Sequence, residues 1–330
     1  SERNVAGAIA ARIPEEAAAP PAVWRDFGVR LGHVLTLGPL TWSALREELA
    51  AWPLAERFHP VRAALLERLP GGPRGPPRRA PPSEAVTCVL ADVHGNLPAL
   101  EAVLEDAGRE GADSFLFLGD AIGYGPFPAE CVRRLAELPR AVCVRGNHDH
   151  AIATGQLELG MNSLARACAG WTRDALGPAE LDWLGALPLD FVDDGWMAVH
   201  GAPKDPNRFL AYVYDLTYEE NLGFLRHHEL PLCFHGHTHV QVTHLTGPGG
   251  PRKLSGAGRF ALDPRQACLV NVGSVGQPRD SDPRAAYGLW RRRHGELETR
   301  RVPYDVERVA VAVARAGLPE RVSARLRAGL

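Results

Sequence analysis

The chain has 330 residues, is 45% hydrophobic and 23% charged, and carries a formal net charge of −2. Those values belong to an ordinary globular protein and exclude a disordered chain. They also give no basic footprint for nucleic acid or an anionic membrane. No apolar run approaches the roughly 18 residues of a membrane span. The Ala-rich stretch 1–21 is broken by Arg12, Pro14, Glu15 and Glu16, so it lacks the clean apolar core of a signal peptide.

Residues 1–69 are expected to form a helical region. Thr41 or Ser43 caps a segment running through Leu45 and Leu49, and Val61 to Leu69 repeats apolar residues at helical spacing. Trp24, Trp42 and Trp52 there suit either a small core or a surface that docks a partner or another subunit. The Pro/Gly/Arg run 70–82 cannot sustain a helix or a ladder and reads as a linker. Residues 83–330 form the chemical domain. Strand and helix alternate there: strands at 86–91, 114–118 and 141–145, helices at 97–109 and 128–138. A mainly helical stretch 161–187 follows. Then come strands at 189–192, 196–200, 232–235, 240–246, 267–272, 286–290 and 296–302, a helix at 215–227, and a helical end at 306–327. Near-continuous apolar strands mean sheets covered on both faces, so the fold class is α/β, two mixed sheets face to face with helices outside. The six cysteines form no CxxC pair, and Cys88 and Cys143 sit inside apolar strands. They read as buried small hydrophobes in a reducing compartment, with a cytoplasmic location expected.

Five short runs follow strands and present carboxylates, amides or imidazoles: Asp92-Val93-His94, Gly119-Asp120, Gly146-Asn147-His148-Asp149, His200-Gly201 and Gly236-His237-Thr238-His239. Ligands gather where strands end, so widely separated runs in the same topological place point to one site. Singly each is a common turn; alternate residues of the last can direct both imidazoles the same way. His33, His59, His227, His228, His244 and His294 read as surface or satisfied side chains, and the role of His235 is open. Imidazole with carboxylate suits manganese, and equally iron, zinc, nickel or cobalt, better than calcium or magnesium.

The order Asp-x-His, Gly-Asp, Gly-Asn-His-Asp, His, Gly-His-x-His resembles the calcineurin-like metallophosphoesterase superfamily from Thr87 to about Val302. The runs Gly119 to Pro126 and Val270 to Arg284 further resemble its small bacterial and archaeal phosphodiesterase (diadenosine-tetraphosphatase-like) branch. The resemblance implies a four-layer α/β/β/α sandwich. It also implies a hydrolase of phosphoric esters with two divalent metal ions, manganese foremost, and a metal-bridging water or hydroxide as nucleophile. Asp92, His94 and His239 would hold the first metal, and Asn147, His200 and His237 the second. Asp120 would bridge them, and His148 would be the catalytic residue facing substrate. Gln277, Arg279 and Tyr124 are candidates for substrate binding, and the 202–214 segment, with Lys204, Arg208, Tyr212 and Tyr214, for a rim. The expected partner is a small phosphorylated substrate, nucleotide-like. Alternatives are a phosphomonoesterase, protein phosphatase included, and a non-catalytic scaffold of the same fold. One departure stands out: where many relatives read Gly-Asp-x-x-Asp, this chain has Gly123. The histidine thus loses its usual carboxylate: either Asp149 or a backbone carbonyl sets its tautomer, or the enzyme relies less on acid catalysis.

Overall fold

The computed structural model describes residues 85–330, apart from 158–160, 207–210 and 248. The chain divides into two units, Ser1–Pro77 and Arg78–Leu330. The expected helical region 1–69, its three tryptophans, the linker 70–82 and Arg208 lie outside the described residues.

The described part opens with β1 (Val86–Leu90), α1 (Leu97–Arg109), β2 (Ser114–Phe117), α2 (Pro128–Ala136), β3 (Ala141–Cys143) and α3 (Asn147–Thr154). Helices α4 (Ser163–Asp174) and α5 (Pro178–Gly185) follow, then β4 (Asp190–Asp193), β5 (Trp196–Val199), α6 (Tyr218–His227), β6 (Leu232–His235) and β7 (Gln241–Leu245). After β8 (Arg252–Ser255) and β9 (Gly258–Ala261) come β10 (Cys268–Val272), β11 (Ala285–Arg291), β12 (Glu296–Val302), α7 (Val306–Arg315) and α8 (Glu320–Ala328). One sheet has the order β3-β2-β1-β11-β12-β9, the other β4-β5-β6-β10-β7-β8. Each is mixed: β1, β2 and β3 run parallel, as do β5, β6 and β10, while the other pairings are antiparallel.

Alternation along each strand sorts side chains into three buried layers. In β1, Cys88 and Leu90 face α1 and the other helices of that side, while Val89 packs into the space between the sheets. Trp196, Phe234, Val270 and Trp290 fill that inter-sheet layer. On the far side Met197, Val199 and Leu269 meet Leu222 and Leu225 of α6. The result is the expected four-layer α/β/β/α arrangement. The sheets are also joined by Gln241, whose buried Nε2 donates to the carbonyls of Val272 (3.1 Å), Arg300 (3.1 Å) and Tyr287 (3.4 Å). All six cysteines are buried and free. Among the described residues no helix is long and apolar enough to cross a membrane.

Several elements differ from expectation. The stretch 161–187 is two helices, because Gly177-Pro178 starts α5 afresh with proline in its first turn. The helical end divides at Gly317 (φ +68°) and Pro319. Asn147 begins a helix rather than a plain turn: the Asp149 carboxylate accepts from the Gly146 N–H at its start (3.0 Å). Strands β8 and β9 were not expected from their polar sequence. They lie at the edges of different sheets, so burial does not impose an apolar alternation on them.

Candidate metal centre

The runs singled out above leave β1, β2, β3, β5 and β6 at one end of the sandwich. Backbone hydrogen bonds lace their loops together. Asp92 N donates to Gly119 O (3.0 Å), His94 N to Asp120 O (3.0 Å), Gly236 N to His200 O (2.9 Å) and Gly276 N to Asp92 O (2.9 Å). Five of the candidate ligands sit in the left-handed region: Asp92 (φ 54°), His94 (49°), Asp120 (59°), His237 (70°) and His239 (60°). For residues with a Cβ that conformation costs of order 1 kcal/mol and persists where the surroundings dictate it.

Three groups of side chains bring their ligand atoms within 4.8 Å of one another: Asp92, His94 and His239; Asp120, His200 and His237; and His94, Asp120 and His148. Each of these seven side chains is at most 5% exposed. Asn147 joins them, its Oδ1 3.0 Å from His200 Nε2. Asp120 stands between the first two groups, with Oδ2 3.6 Å from His94 Nε2 and 3.4 Å from His200 Nε2. Its Oδ1 accepts from the His148 N–H (2.9 Å), whereas Oδ2 is buried with no hydrogen-bond partner among the described residues. A Cβ at residue 146 would collide with Asp120, so glycine is required there.

Three imidazoles are oriented from behind. His94 Nδ1 pairs with Ile122 O (3.0 Å), His200 Nδ1 with Leu118 O (2.8 Å) and His239 Nδ1 with Gln277 O (2.6 Å). A carbonyl only accepts, so each Nδ1 carries the proton and each Nε2 turns inward, the arrangement typical of metal-binding histidines. His94 Nε2 and His239 Nε2 then face each other at 3.1 Å. Burial holds both rings well below the usual imidazole range, so two lone pairs meet there and repel unless a cation lies between them. His237 Nε2 is likewise buried without a partner. Burial pushes the Asp92 carboxyl up to about 7, with His200 opposing and Asp120 adding to the rise. Burial opposes charge on His200 as well, yet the Asp120 carboxylate raises it to about 9. The centre of the site therefore selects positive charge. Two carboxylates, four imidazoles and an amide without thiolate fit divalent cations of borderline hardness.

His148 lies at the mouth, its ring edge-on to His94 at 4.8 Å and against Tyr124 at 4.9 Å. Burial lowers it to about 4. Neither alternative partner holds it. Asp149 is occupied by the N–H groups of Asp120 (2.8 Å), Ala121 (2.9 Å) and Gly146 (3.0 Å). His148 Nδ1 has no hydrogen-bond partner among the described residues. It rests instead on Gly123, whose missing side chain leaves room for the ring. The expectation that Asp149 or a carbonyl sets its tautomer is thus corrected. The spacing Gly146-x-x-Asp149, an N-cap with an acid three residues on, is the signal that marks Asp149 as a backbone anchor.

Tyr124 is almost fully buried, against His94, with Arg279 Cζ 6.0 Å from its ring centre. Gln277 is buried beneath His239, and its Oε1 accepts from Arg279 Nη2 (2.9 Å). Tyr212 stacks on His237, centroids 3.9 Å apart. Other polar residues of these loops are engaged elsewhere: Lys204 pairs with Glu220, Arg284 with Asp282, and Asp280 with Arg301. His244 is not a surface residue. It is buried, stacked on Tyr218 at 4.6 Å, and neither ring nitrogen has a hydrogen-bond partner among the described residues.

A carboxylate and imidazole nest at the strand ends of an α/β/β/α sandwich defines a metal-dependent phosphoester hydrolase. Residues 86–241 match the calcineurin-like phosphoesterase family. The chain is 36% identical to a metallophosphoesterase of known structure from Sphaerobacter thermophilus, with a TM-score of 0.64 over 74% of this chain and 99% of that one. It is 32% identical over 251 residues to the uncharacterized protein MJ0912 of Methanocaldococcus jannaschii, spanning 74% of this chain and 98% of the relative. A shorter stretch of 71 residues is 38% identical to phosphodiesterase YfcE of Escherichia coli, covering 19% of this chain and 39% of that protein. The chain belongs to the calcineurin-like phosphoesterase family.

Proposed function

We propose that this protein hydrolyses a phosphodiester or phosphoanhydride bond of a small, nucleotide-like substrate with two divalent cations, manganese foremost. Asp92, His94 and His239 would hold one ion, Asn147, His200 and His237 the other, and Asp120 both. The observation that carries the reading is the unpartnered Asp120 Oδ2 between two sets of inward-turned ring nitrogens. When bound, such a pair of ions supplies charge neutralisation and a water nucleophile at neutral pH. The protein's own residues do the rest. The carbonyls of Ile122, Leu118 and Gln277 fix the ligand tautomers, and Asp149 fixes the backbone that presents Asp120 and Asn147. Arg279 and Gln277 border the cleft as substrate-binding residues, and Tyr124 walls it.

His148 serves as a hydrogen-bond donor to the phosphoryl oxygens or the leaving oxygen. With no carboxylate behind it, it is poorly equipped to drive a strongly basic alkoxide out by protonation. That favours leaving groups that need little help, such as a nucleotide, and disfavours the phosphoprotein monoester reading. Retention of all eight ligand and catalytic candidates disfavours a scaffold role. Purified protein loaded with manganese should hold two ions per chain and cleave bis-p-nitrophenyl phosphate faster than the monoester. A single ion per chain, or a monoester preference, would overturn the reading.

A further inference from the structure

Around Tyr124 the fold gathers guanidinium groups beyond those that bear on the ligands. Arg279 leads from the loop after β10: its backbone N donates to His239 O (3.1 Å) and its Nη2 to Gln277 Oε1 (2.9 Å). Helix α8 is tied to this same loop. Ser281 N donates to the carbonyl of Gly329 (2.9 Å), and Gly329 backs so closely onto Asp282 that a Cβ would stand 2.7 Å from the Asp282 nitrogen. Arg325, one turn earlier, is half-buried and bonds through Nε to Leu330 O (2.8 Å). Burial, then the charges of Arg279 and Arg321, hold Arg325 below the usual arginine range, and Tyr124 feels both Arg279 and Arg325.

Among the described residues no Asp or Glu side chain pairs with Arg279, Arg321 or Arg325; the Arg325 guanidinium bonds only the main-chain oxygen of Leu330. Arg284, Arg300, Arg301 and Arg327 all have such a partner. Like charges left together in this way repel. Two further donors are orphaned there: among the described residues Arg279 Nε and Gln277 Nε2 are buried without acceptors, and Gln277 is only 1% exposed. What this cluster lacks is an anion, and guanidinium forks suit phosphate.

We propose that Arg325 of α8, with Arg279 and Gln277, forms a second anion subsite beside the metal centre, which takes a phosphate group of the substrate beyond the one attacked. The subsite rests on the function proposed above and narrows it to substrates with at least two phosphates. The probes are AMP and ADP, which differ by one phosphate. They are tested on the manganese-loaded full chain as competitive inhibitors of bis-p-nitrophenyl phosphate hydrolysis, and by calorimetry. ADP should bind the parent at least about tenfold more tightly than AMP, the ~1.4 kcal/mol of one charge-assisted contact. In Arg325→Ala that advantage should shrink to about twofold or less, and Arg325→Lys should restore part of it. Raised salt should narrow the gap in the parent. Equal binding of the two probes by the parent, or an ADP advantage that survives Arg325→Ala with a native melting curve, would overturn the subsite. Failure of the parent to cleave the diester would instead strike the proposed function, while calorimetry still decides the subsite.

Discussion

Gly123 stands where many relatives place an acid, three residues after the Asp of their Gly-Asp, and its role can be measured. Its φ is +127°, and a Cβ there would overlap His148 Nδ1 and stand 2.9 Å from Cγ and 3.1 Å from Cβ. Gly123→Ala therefore meets two costs. Backbone strain at positive φ is worth roughly 1–3 kcal/mol. Overpacking against the ring adds about 1–3 kcal/mol. The sum, about 2–6 kcal/mol, lowers Tm by at least about 4 °C at roughly 2–4 °C per kcal/mol. The two terms separate in a double-mutant cycle with His148→Ala. Once the ring is gone the two closest contacts vanish and the 3.1 Å contact with the His148 Cβ remains, so the second substitution should carry little more than strain. The coupling energy by chemical denaturation should then be about 1–3 kcal/mol. Turnover of Gly123→Ala should fall in step with His148→Ala, because the ring is displaced, while metal content stays at the parental value. Stabilities that add to within about 0.5 kcal/mol would refute the idea that residue 123 exists to make room for the imidazole.

Other perturbations test other parts of the molecule. His148→Ala should retain both metal ions by elemental analysis and lose about 10²–10⁴-fold in kcat; parental turnover in the metal-replete variant would remove His148 from the reaction. Gln241→Leu leaves two buried carbonyls and one part-buried carbonyl without this donor and should cost about 2–5 kcal/mol in denaturant unfolding, since each orphaned buried group costs roughly 1–3. A near-neutral result would mean the sheets do not depend on that bridge. Asp106 accepts from Tyr287 Oη (2.7 Å) and Arg300 Nε (3.0 Å), and although burial opposes it, these donors hold its carboxyl below the usual range. A depressed carboxylate stabilises the fold above its unfolded value of ~3.9, and that stability is lost as pH falls through the folded value. Asp106→Asn should thus be less stable than the parent at pH 7 and lose less between pH 5 and pH 2; parallel curves would show that Asp106 contributes nothing to acid unfolding.

The candidate site was readable as one cluster because each member follows a strand whose apolar run is unmistakable, as in Val86–Leu90 and Leu232–His235. What was not readable depended on partners far away in sequence. Asp149 reads as a candidate partner for His148 until its carboxylate is seen to accept from three backbone amides, two of them on a loop far back in the chain. Arg325 sits on a strongly polar helix and gains meaning only through the loop against which α8 ends. His244 lies on a strand whose outer face α6 happens to cover, which periodicity in β7 cannot reveal. The edge strands β8 and β9 were hidden for the opposite reason: exposed edges place few demands on side-chain pattern.

The left-handed conformations of Asp92, His94, Asp120, His237 and His239 make this corner a poor place for durability. Glycine at any of them would relax the chain, and asparagine would be easier than histidine. A copy freed from its chemical task would drift toward such replacements and become harder to melt. Five residues with side chains where glycine fits more easily leave stability at this corner that substitution could recover, at the expense of the groups those side chains present.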